Sequence, residues 1–198
     1  MSCPAQSLDS VSLRRVFLLA TRELFSHPEN FAELSEELSR YKYSTDEKTS
    51  SLAVELDYVY NPKNLSARHA VYVGIGDLDF SVEYLDHRAG VNDDRSQHVF
   101  VQPAKTSLMI RCVTPLPDES LRLATIALGY FFGMRPLFMQ QLSLTRFDLG
   151  KLSAPSLVEK APTALYESVM VATIAFNFEI TSTIEGHRIK TFSLATAP

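Results

Sequence analysis

The stretch that decides the fold is RCVTPLPDESLRLATIALGYFF, residues 111–132. It starts as a strand-like apolar run, passes two prolines and an acidic cap, and continues as a helical segment with apolar residues on nearly every side. Pro117 and Asp118 suit a first helical turn, because that turn needs no N–H from proline and its dipole favours a carboxylate. We expect the helix to end at Gly133 and Pro136. Its composition predicts cover on most sides by other parts of the protein.

Two interpretations of this apolar helix are compatible with each other. In the first, it is a central core helix packed between a sheet and the N-terminal helix. In the second, a remaining exposed stripe, expected at Leu123, Ala127 and Tyr130, contacts a neighbouring subunit. The second interpretation adds a role in assembly to the role in folding.

The composition is that of a compact globular protein. The chain has 198 residues, of which 45% are hydrophobic and 21% charged, so we expect one domain with a proper core. The net charge of −4 is concentrated at the start, because residues 1–95 contain 10 Lys and Arg against 16 Asp and Glu. No run of Lys or Arg occurs, which argues against tight DNA binding by the monomer. No segment predicts secretion or a membrane span.

Hydrophobic periodicity predicts the other elements. Apolar residues three and four apart predict helical structure from residue 9 or 10 to 25 and again over 28–41, as two surface helices or one bent helix. The period then changes to two, which is typical of half-buried strands. Strands are expected at 51–60, 71–75, 98–113, 141–149 and 165–182. The segment 150–162, with two prolines, predicts a linker before the last of these strands.

The predicted order is helix, three strands, helix, two strands. This order indicates an α+β fold, in which a mixed, mostly antiparallel sheet of about five strands is flanked by helices. We expect a single structural domain over 1–198 with a flexible N-terminus at 1–7. The charged segment 84–97 contains turn-forming Gly and Asn and predicts the protruding tip of a long hairpin. Residues 181–198 are expected to form a C-terminal extension, either as a hairpin strand or as an arm.

No motif in the sequence predicts catalysis, a cofactor or a metal ion. The segment GIGDLD at 74–79 lacks the third glycine and the helix start of a dinucleotide fingerprint, so its glycines are expected to form a bulge or turn. The four acidic residues between 77 and 86 lack the glycine-turned spacing of a calcium loop. Neither Cys112 nor any histidine has the partners of a nucleophile or a zinc site. We therefore expect a protein that is not an enzyme.

Four stretches together carry a resemblance to a known family. They are SLRRVFLLATRELF (12–25), ARHAVYVGIGDLDF (67–80), KTSLMIRCVTPLPDESLRLATIALGYFFGMRPLF (105–138) and LYESVMVATIAFNFEI (165–180). In order and hydrophobic pattern they resemble the tail terminator, or neck, proteins of long-tailed bacteriophages. The resemblance covers most of residues 8–180, and the segment after Ile180 has no counterpart in the family pattern.

The resemblance implies a structural virion protein of the tail neck. Members of the family are similar in fold and form six-fold rings that cap the tail tube, and they catalyse nothing. The implied partners are other copies of this chain, the tail tube protein, the head–tail connector protein and, in contractile tails, the last sheath ring. DNA would pass through the lumen without specific binding, which suits an acidic or neutral chain because basic patches would trap phosphates.

Interface residues are expected in the hairpin tip, on the apolar helix and in the C-terminal extension. They are Tyr84, Asp86, Arg88, Asp93, Asp94, Arg95, Tyr130, His187 and Arg188. Two alternatives stay open from the sequence alone. One is a different phage connector or baseplate component, which the position of the protein in the tail would distinguish. The other is a small-molecule-binding domain, for which a ligand would raise the melting temperature.

Overall fold

The computed structural model describes residues 10–27, 40–46, 48–65, 68–80, 88–92, 97–185 and 188–196, of which 88–92, 97–101, 178–185 and 188–196 are described as backbone. Two helices and nine strands form an α+β fold within these ranges. They are α1 (Ser10–Ser26), β1 (Leu52–Leu56), β2 (His69–Ile75), β3 (Asp79–Phe80), β4 (Arg88–Asn92), β5 (Gln97–Thr114), α2 (Pro117–Gln141), β6 (Leu144–Leu152), β7 (Ser156–Leu157), β8 (Tyr166–Glu185) and β9 (Arg188–Thr196). The predicted fold class is confirmed.

The sheet is mixed and mostly antiparallel, as predicted. Five strands make the main path, in the order β1-β2-β5-β8-β6, and β3, β4, β7 and β9 pair with β5 or β8 beside it. β1 pairs with β2 in parallel, and every other pair is antiparallel. The expected number of about five strands therefore corresponds to the main path, and the four further strands lengthen the sheet.

Two long strands give the sheet its shape. β5 has 18 residues and β8 has 20, and they stay in register from Thr114↔Tyr166 to Gln97↔Thr183. At roughly 3.4 Å per residue this ladder is about 60 Å long. One half, the base, is flanked by β2 and β6. The other half, which we call the extension, is the four-stranded array β4-β5-β8-β9, with backbone residues 88–92, 97–102, 178–185 and 188–196.

Both helices pack on one face of the base. α1 contacts β1 and β2, whereas α2 contacts β5, β6 and β8. The strands point alternate residues at the helices, as period-two patterning predicts. In β8 these residues are fully buried, and they are Ser168, Met170, Ala172, Ile174 and Phe176. The predicted register of this strand is confirmed.

An aromatic cluster joins the two helices to the sheet. The ring centroid of Phe17 on α1 lies 5.8 Å from that of Phe131 and 5.3 Å from that of Phe138, both on α2. Phe147 of β6 lies 5.9 Å from Phe17 and from Phe138. Such tilted and edge-on ring pairs contribute about 0.5–1.5 kcal/mol each beyond their buried area. The cluster fixes α2 between α1 and β6.

Helix α2 begins where the sequence predicts. Pro117 occupies the first turn, and the backbone N–H of Ser120 donates to the carbonyl of Leu116 at 3.3 Å. The hydroxyl of Ser120 is fully buried and lies 3.1 Å from that of Ser168 on β8. Each buried hydroxyl thereby has a hydrogen-bonding partner, which removes the penalty of burying it.

The predicted end of α2 at Gly133 and Pro136 is wrong. The helix continues to Gln141 and contains Pro136 in its interior. Proline removes one backbone donor and crowds the preceding turn. The last two turns persist because they carry Phe138, which is 8% exposed within the aromatic cluster.

Other sequence expectations have mixed outcomes. The segment 150–162 is not wholly a linker, because it contains the end of β6 and the short strand β7. Gly74 forms neither bulge nor turn; it lies in regular β2, where an added Cβ would be 2.3 Å from Asp57 Oδ2. Residues 181–185 continue β8, and residues 188–196 form β9 and pair with β8, which is the hairpin alternative. The flexible N-terminus at 1–7 and most of the second predicted helix lie outside the described residues.

Candidate functional site

The outward face of α2 carries an apolar stripe that no described part of the chain covers. Phe132 is 66% exposed and Leu137 is 44% exposed. The spacing of three and four residues places these residues on one side of the helix. We define the α2 stripe as Thr125, Leu128, Gly129, Phe132, Gly133 and Leu137. None of these six residues is charged, and the exposed Arg122 lies on the same side of the helix, one turn before the stripe.

A shallow groove runs between the α2 stripe and strand β6. Its volume is about 400 Å³, and it is lined by Thr125, Leu128, Gly129, Phe132, Leu149, Gly150, Lys151 and Leu152. Lys151 is the one charged residue among these eight. The turn that joins α2 to β6 contains Ser143, which has a positive φ of 49°. Its chemistry suits apolar side chains and offers no polar centre for a reaction.

Strand β6 limits what can bind beside the groove. It is the last strand of the main path in the described sheet, so its outer edge is a possible site for strand addition. Two register shifts interrupt its ladder with β8, between Leu144 and Arg146 and between Leu149 and Lys151. Arg146 also pairs with Asp148, and Arg135 of α2 reaches the same carboxylate at 3.3 Å. Bulges and charges of this kind disfavour strand addition, so side-chain packing against α2 is the expected mode of contact.

A polar cluster lies on the opposite face of the sheet. The carboxylate of Glu167 accepts hydrogen bonds from Arg111 at 2.5 Å and from the hydroxyl of Tyr60 at 3.0 Å. The guanidinium of Arg111 also lies 4.6 Å from the centre of the Tyr60 ring. Burial, followed by the charge and hydrogen bond of Glu167, raises the pKa of Tyr60 to about 12, while Arg111 opposes the shift. These groups satisfy one another, so the cluster is a structural clamp between β5, β8 and the segment after β1.

The described residues offer no recognisable catalytic or metal centre. Cys112 is fully buried in β5, and burial raises the pKa of its thiol, which leaves it unreactive. His69 pairs with Glu119 at 3.0 Å, at the start of α2. Within the described ranges, no three His, Cys, Asp or Glu residues lie together as metal ligands would. In the same part of the chain, neither helix has the length and apolar composition needed to cross a membrane.

The structure describes three of the nine predicted interface residues, Arg88, Tyr130 and Arg188. Tyr84, Asp86, Asp93, Asp94, Arg95 and His187 lie outside the described residues. Arg88 begins β4 and stands in register with Phe100, whereas Arg188 begins β9 and stands in register with Glu185. The two arginines therefore lie on opposite edge strands of the extension. They do not form one site.

Tyr130 lies on α2 but is not part of the exposed stripe. It is half-buried and packs edge-on against Phe131, with ring centroids 5.3 Å apart. Burial, and then the negative charge of Glu23, raises the pKa of its phenol. The expected stripe at Leu123, Ala127 and Tyr130 is therefore wrong, because Leu123 is 1% exposed and Ala127 is fully buried. The uncovered stripe lies on the other side of the helix.

A sequence signal for the α2 stripe exists, although the spacing analysis missed it. Gly129 and Gly133 stand four residues apart inside a helix, and an added Cβ at either position would meet nothing within 4 Å. A glycine inside a helix is less favourable than alanine by about 0.5–1 kcal/mol. No contact within the described residues therefore requires glycine at either position, and both glycines lie beside the exposed Phe132.

Comparison with known proteins adds no family assignment. A scan against protein-family models finds no match for this chain, and a search of curated proteins finds none either.

Proposed function

We propose that the chain is a structural subunit of a homo-oligomeric ring, the tail terminator or neck ring of a long-tailed bacteriophage. In this role the ring caps the tail tube and joins it to the head-side connector, and DNA passes through without specific binding. The observation that carries the proposal is the extension, formed by the continuation of β5 and β8 beyond the base with β4 and β9 on either side. A four-stranded array that continues beyond the helix-covered base offers a surface that a neighbouring subunit can contact.

The composition of the extension supports a role in assembly. The Cα register aligns Arg88, Phe100, Ile180 and Leu194 in one row across its four strands. This row continues the alternation that places Ala104 and the other core residues of β5 on the helix-bearing face. Three of the four residues in this row are apolar. Heterologous contacts between such surfaces close into rings when the rotation between neighbours permits it.

The net charge and the nature of the described surfaces are compatible with this role. A ring around a DNA channel works best when it does not hold phosphates, and the chain has a net charge of −4. The uncovered surface of α2 is apolar rather than catalytic. Protein–protein interfaces draw most of their binding energy from a few anchor residues, among which aromatic side chains are enriched.

A variant of the hairpin tip tests the proposal. Asp93, Asp94 and Arg95 are replaced by Gly or Ser without change of length, and a matched control replaces three exposed charges of the same signs elsewhere, Asp77, Glu159 and Lys63. Each protein is mixed with tail tubes, and negative-stain electron microscopy counts tubes with a ring at one end. We expect wild type and control to cap tubes and the tip variant to fail, with all melting temperatures within about 2 °C.

Two results would contradict different parts of the proposal. If the tip variant caps tubes as well as wild type does, the tip is not the contact. If wild-type protein never appears at a tube end, or appears only at the baseplate end, the terminator assignment itself is wrong.

A further inference from the structure

The margin of the sheet beside β8 has two parts that differ in how well they are protected. β6 and β9 lie end to end on this margin, because they pair with successive parts of β8, 170–176 and 178–185. We propose that β9 is a strand-addition site, which pairs antiparallel with β9 of a second copy of this chain about a two-fold axis at Ser193. The pair is isologous, whereas the proposed ring is built from heterologous contacts, so this inference does not rest on the proposed function.

The other edges of the described sheet carry features that oppose strand addition. Unpaired edges recruit extended chains, and natural proteins blunt them with bulges, charges or short strands. β6 has two register shifts and the charged pair of Arg146 and Asp148. β1 has five residues, and two nitrogens of the Arg22 side chain donate to the carbonyl of Val54 at 3.1 and 3.2 Å. β4 has five residues and one register shift, whereas β3 and β7 have two residues each.

β9 lacks these features from residue 191 onward. It pairs with β8 without a register shift from Thr191↔Thr183 to Thr196↔Phe178. The six residues of this part, TFSLAT, include no charged residue, no proline and no glycine. In the part of the chain that the structure describes, no strand pairs with the outer side of β9. β9 therefore presents a regular edge that can template a further strand.

The remaining segments of the chain join the described elements away from β9. Residues 28–39 lead toward Tyr41, whose ring lies 4.6 Å from that of His69 at the start of β2. Residues 1–9 lead to α1, which contacts β1 and β2. The segments on both sides of β4 join the other margin of the extension. A strand that covers β9 therefore comes from another molecule.

Charge and shape select an antiparallel second copy. A parallel pair in register would place Arg188 and Lys190 of one copy beside the same residues of the other, and like charges directly opposite each other destabilise a strand pair. It would also bring the two bases side by side. The antiparallel pair sends the bases to opposite ends of the joined extensions, so the helices of one copy do not meet those of the other.

An axis at Ser193 aligns the uncharged part of β9 with itself. Phe192 of each copy then stands opposite Leu194 of the other, on the helix-bearing face. Cross-strand pairs with an aromatic member are among those that stabilise antiparallel ladders. Lys190 stands opposite Thr196, so no basic residue of β9 faces another basic residue. The two extensions thereby join into one sheet of eight strands.

The joined ladder is short, so the pairing should depend on concentration. Residues 190–196 of the two copies overlap, over roughly 23 Å at about 3.3 Å per residue. A contact of this length lies near or below the lower end of stable interfaces, roughly 1,200 Å² in total. In sedimentation equilibrium of the full chain, wild type should shift from 22.2 kDa toward twice that mass as concentration rises.

A charge added to β9 tests the pairing edge. Ser193→Lys should weaken dimerisation by about tenfold or more, because it sets like charges opposite each other at the axis. Asn92→Lys adds the same charge to β4, the other edge strand of the extension, and is the matched control. The control should dimerise as wild type does. Both variants should melt within about 2 °C of wild type at low concentration.

Cross-linking tests the register directly, with nearly isosteric changes. The proposed axis places Thr191 of one copy opposite Ala195 of the other, with Cα atoms about 4.5–5.5 Å apart, which a disulfide can bridge. In a Cys3→Ser background, a mixture of Thr191→Cys and Ala195→Cys chains should therefore form a disulfide-linked dimer on mild oxidation. Neither chain should do so alone, because each position lies about 13 Å from its own copy across the axis. Cys112 does not compete, because it is fully buried.

The outcomes separate the pair from the ring. Ser193→Lys dimers as tight as wild type, or Thr191→Cys chains that cross-link to themselves, would overturn pairing through β9. Weakening by Asn92→Lys alone would place the contact on β4 instead and would also overturn it. A wild-type chain that stays monomeric at millimolar concentration but caps tubes would overturn the pair and leave the ring intact. A chain that forms the pair but never binds tubes would overturn the ring alone.

Discussion

Two adjacent phenylalanines on α2 should differ strongly in their effect on stability when each is replaced by alanine. Phe131 is fully buried, with ring centroids 5.8 Å from Phe17, 5.5 Å from Phe138 and 6.5 Å from Phe147. Phe132 is 66% exposed. Loss of a buried phenylalanine removes its transfer free energy and leaves a cavity, which together cost about 3–5 kcal/mol. Loss of the exposed one should change the free energy of unfolding by no more than about 0.5 kcal/mol.

The assay is urea unfolding followed by circular dichroism, because the chain has no tryptophan. It is carried out at low protein concentration, so that self-association contributes nothing to stability. For a chain of this length 1 kcal/mol corresponds to roughly 2–4 °C, so Phe131→Ala should melt about 10 °C below wild type. If both variants lose the same free energy, or if Phe132→Ala loses more, the assignment of the buried and uncovered faces of α2 is wrong.

Three further predictions concern single groups. Pro136→Ala should raise the free energy of unfolding by about 2 kcal/mol, because it restores a helical N–H in the interior of α2. Urea unfolding measures this change, and it would show no gain if the helix ended before this residue. Glu167→Gln should destabilise the chain by about 1–2 kcal/mol through its charge-assisted bond to Arg111, whereas the exposed Glu159→Gln control should not. The Tyr60 phenol should titrate at about pH 12, as measured by its absorbance at high pH. Because the fold raises its pKa, the stability that Tyr60 contributes is complete below pH 10 and is lost from pH 10 to 12. If the pKa of Tyr60 does not fall in the Glu167→Gln variant, the role of that carboxylate is contradicted.

The fold class and several elements are predictable from local patterns. Alternation along β8 predicts its register because Ser168 and Phe176 face the same core and the intervening residues keep the period. The start of α2 is predictable because Pro117 and Asp118 have preferences that act within one turn. These signals act within one strand or one helical turn, and the structure contains the elements that they predict.

The features that the sequence did not predict depend on distant partners. α2 continues past Pro136 because Phe138 reaches Phe17 on another helix, a contact that no local rule contains. Gly74 is required by Asp57, 17 positions earlier. The exposed face of α2 was misplaced because the helix has apolar residues all round, so periodicity cannot identify the outward side. The positions of α1 and β6 determine which side of α2 is exposed, and these positions depend on tertiary packing.

The measurement closest to the central claim is the mass and symmetry of the particle that purified protein forms with tail tube protein, obtained by native mass spectrometry and electron-microscope class averages. A ring of six copies seated on one end of the tube, with its hole open for DNA, is the predicted result. Particles that contain one or two copies at every concentration and never associate with the tube would contradict it.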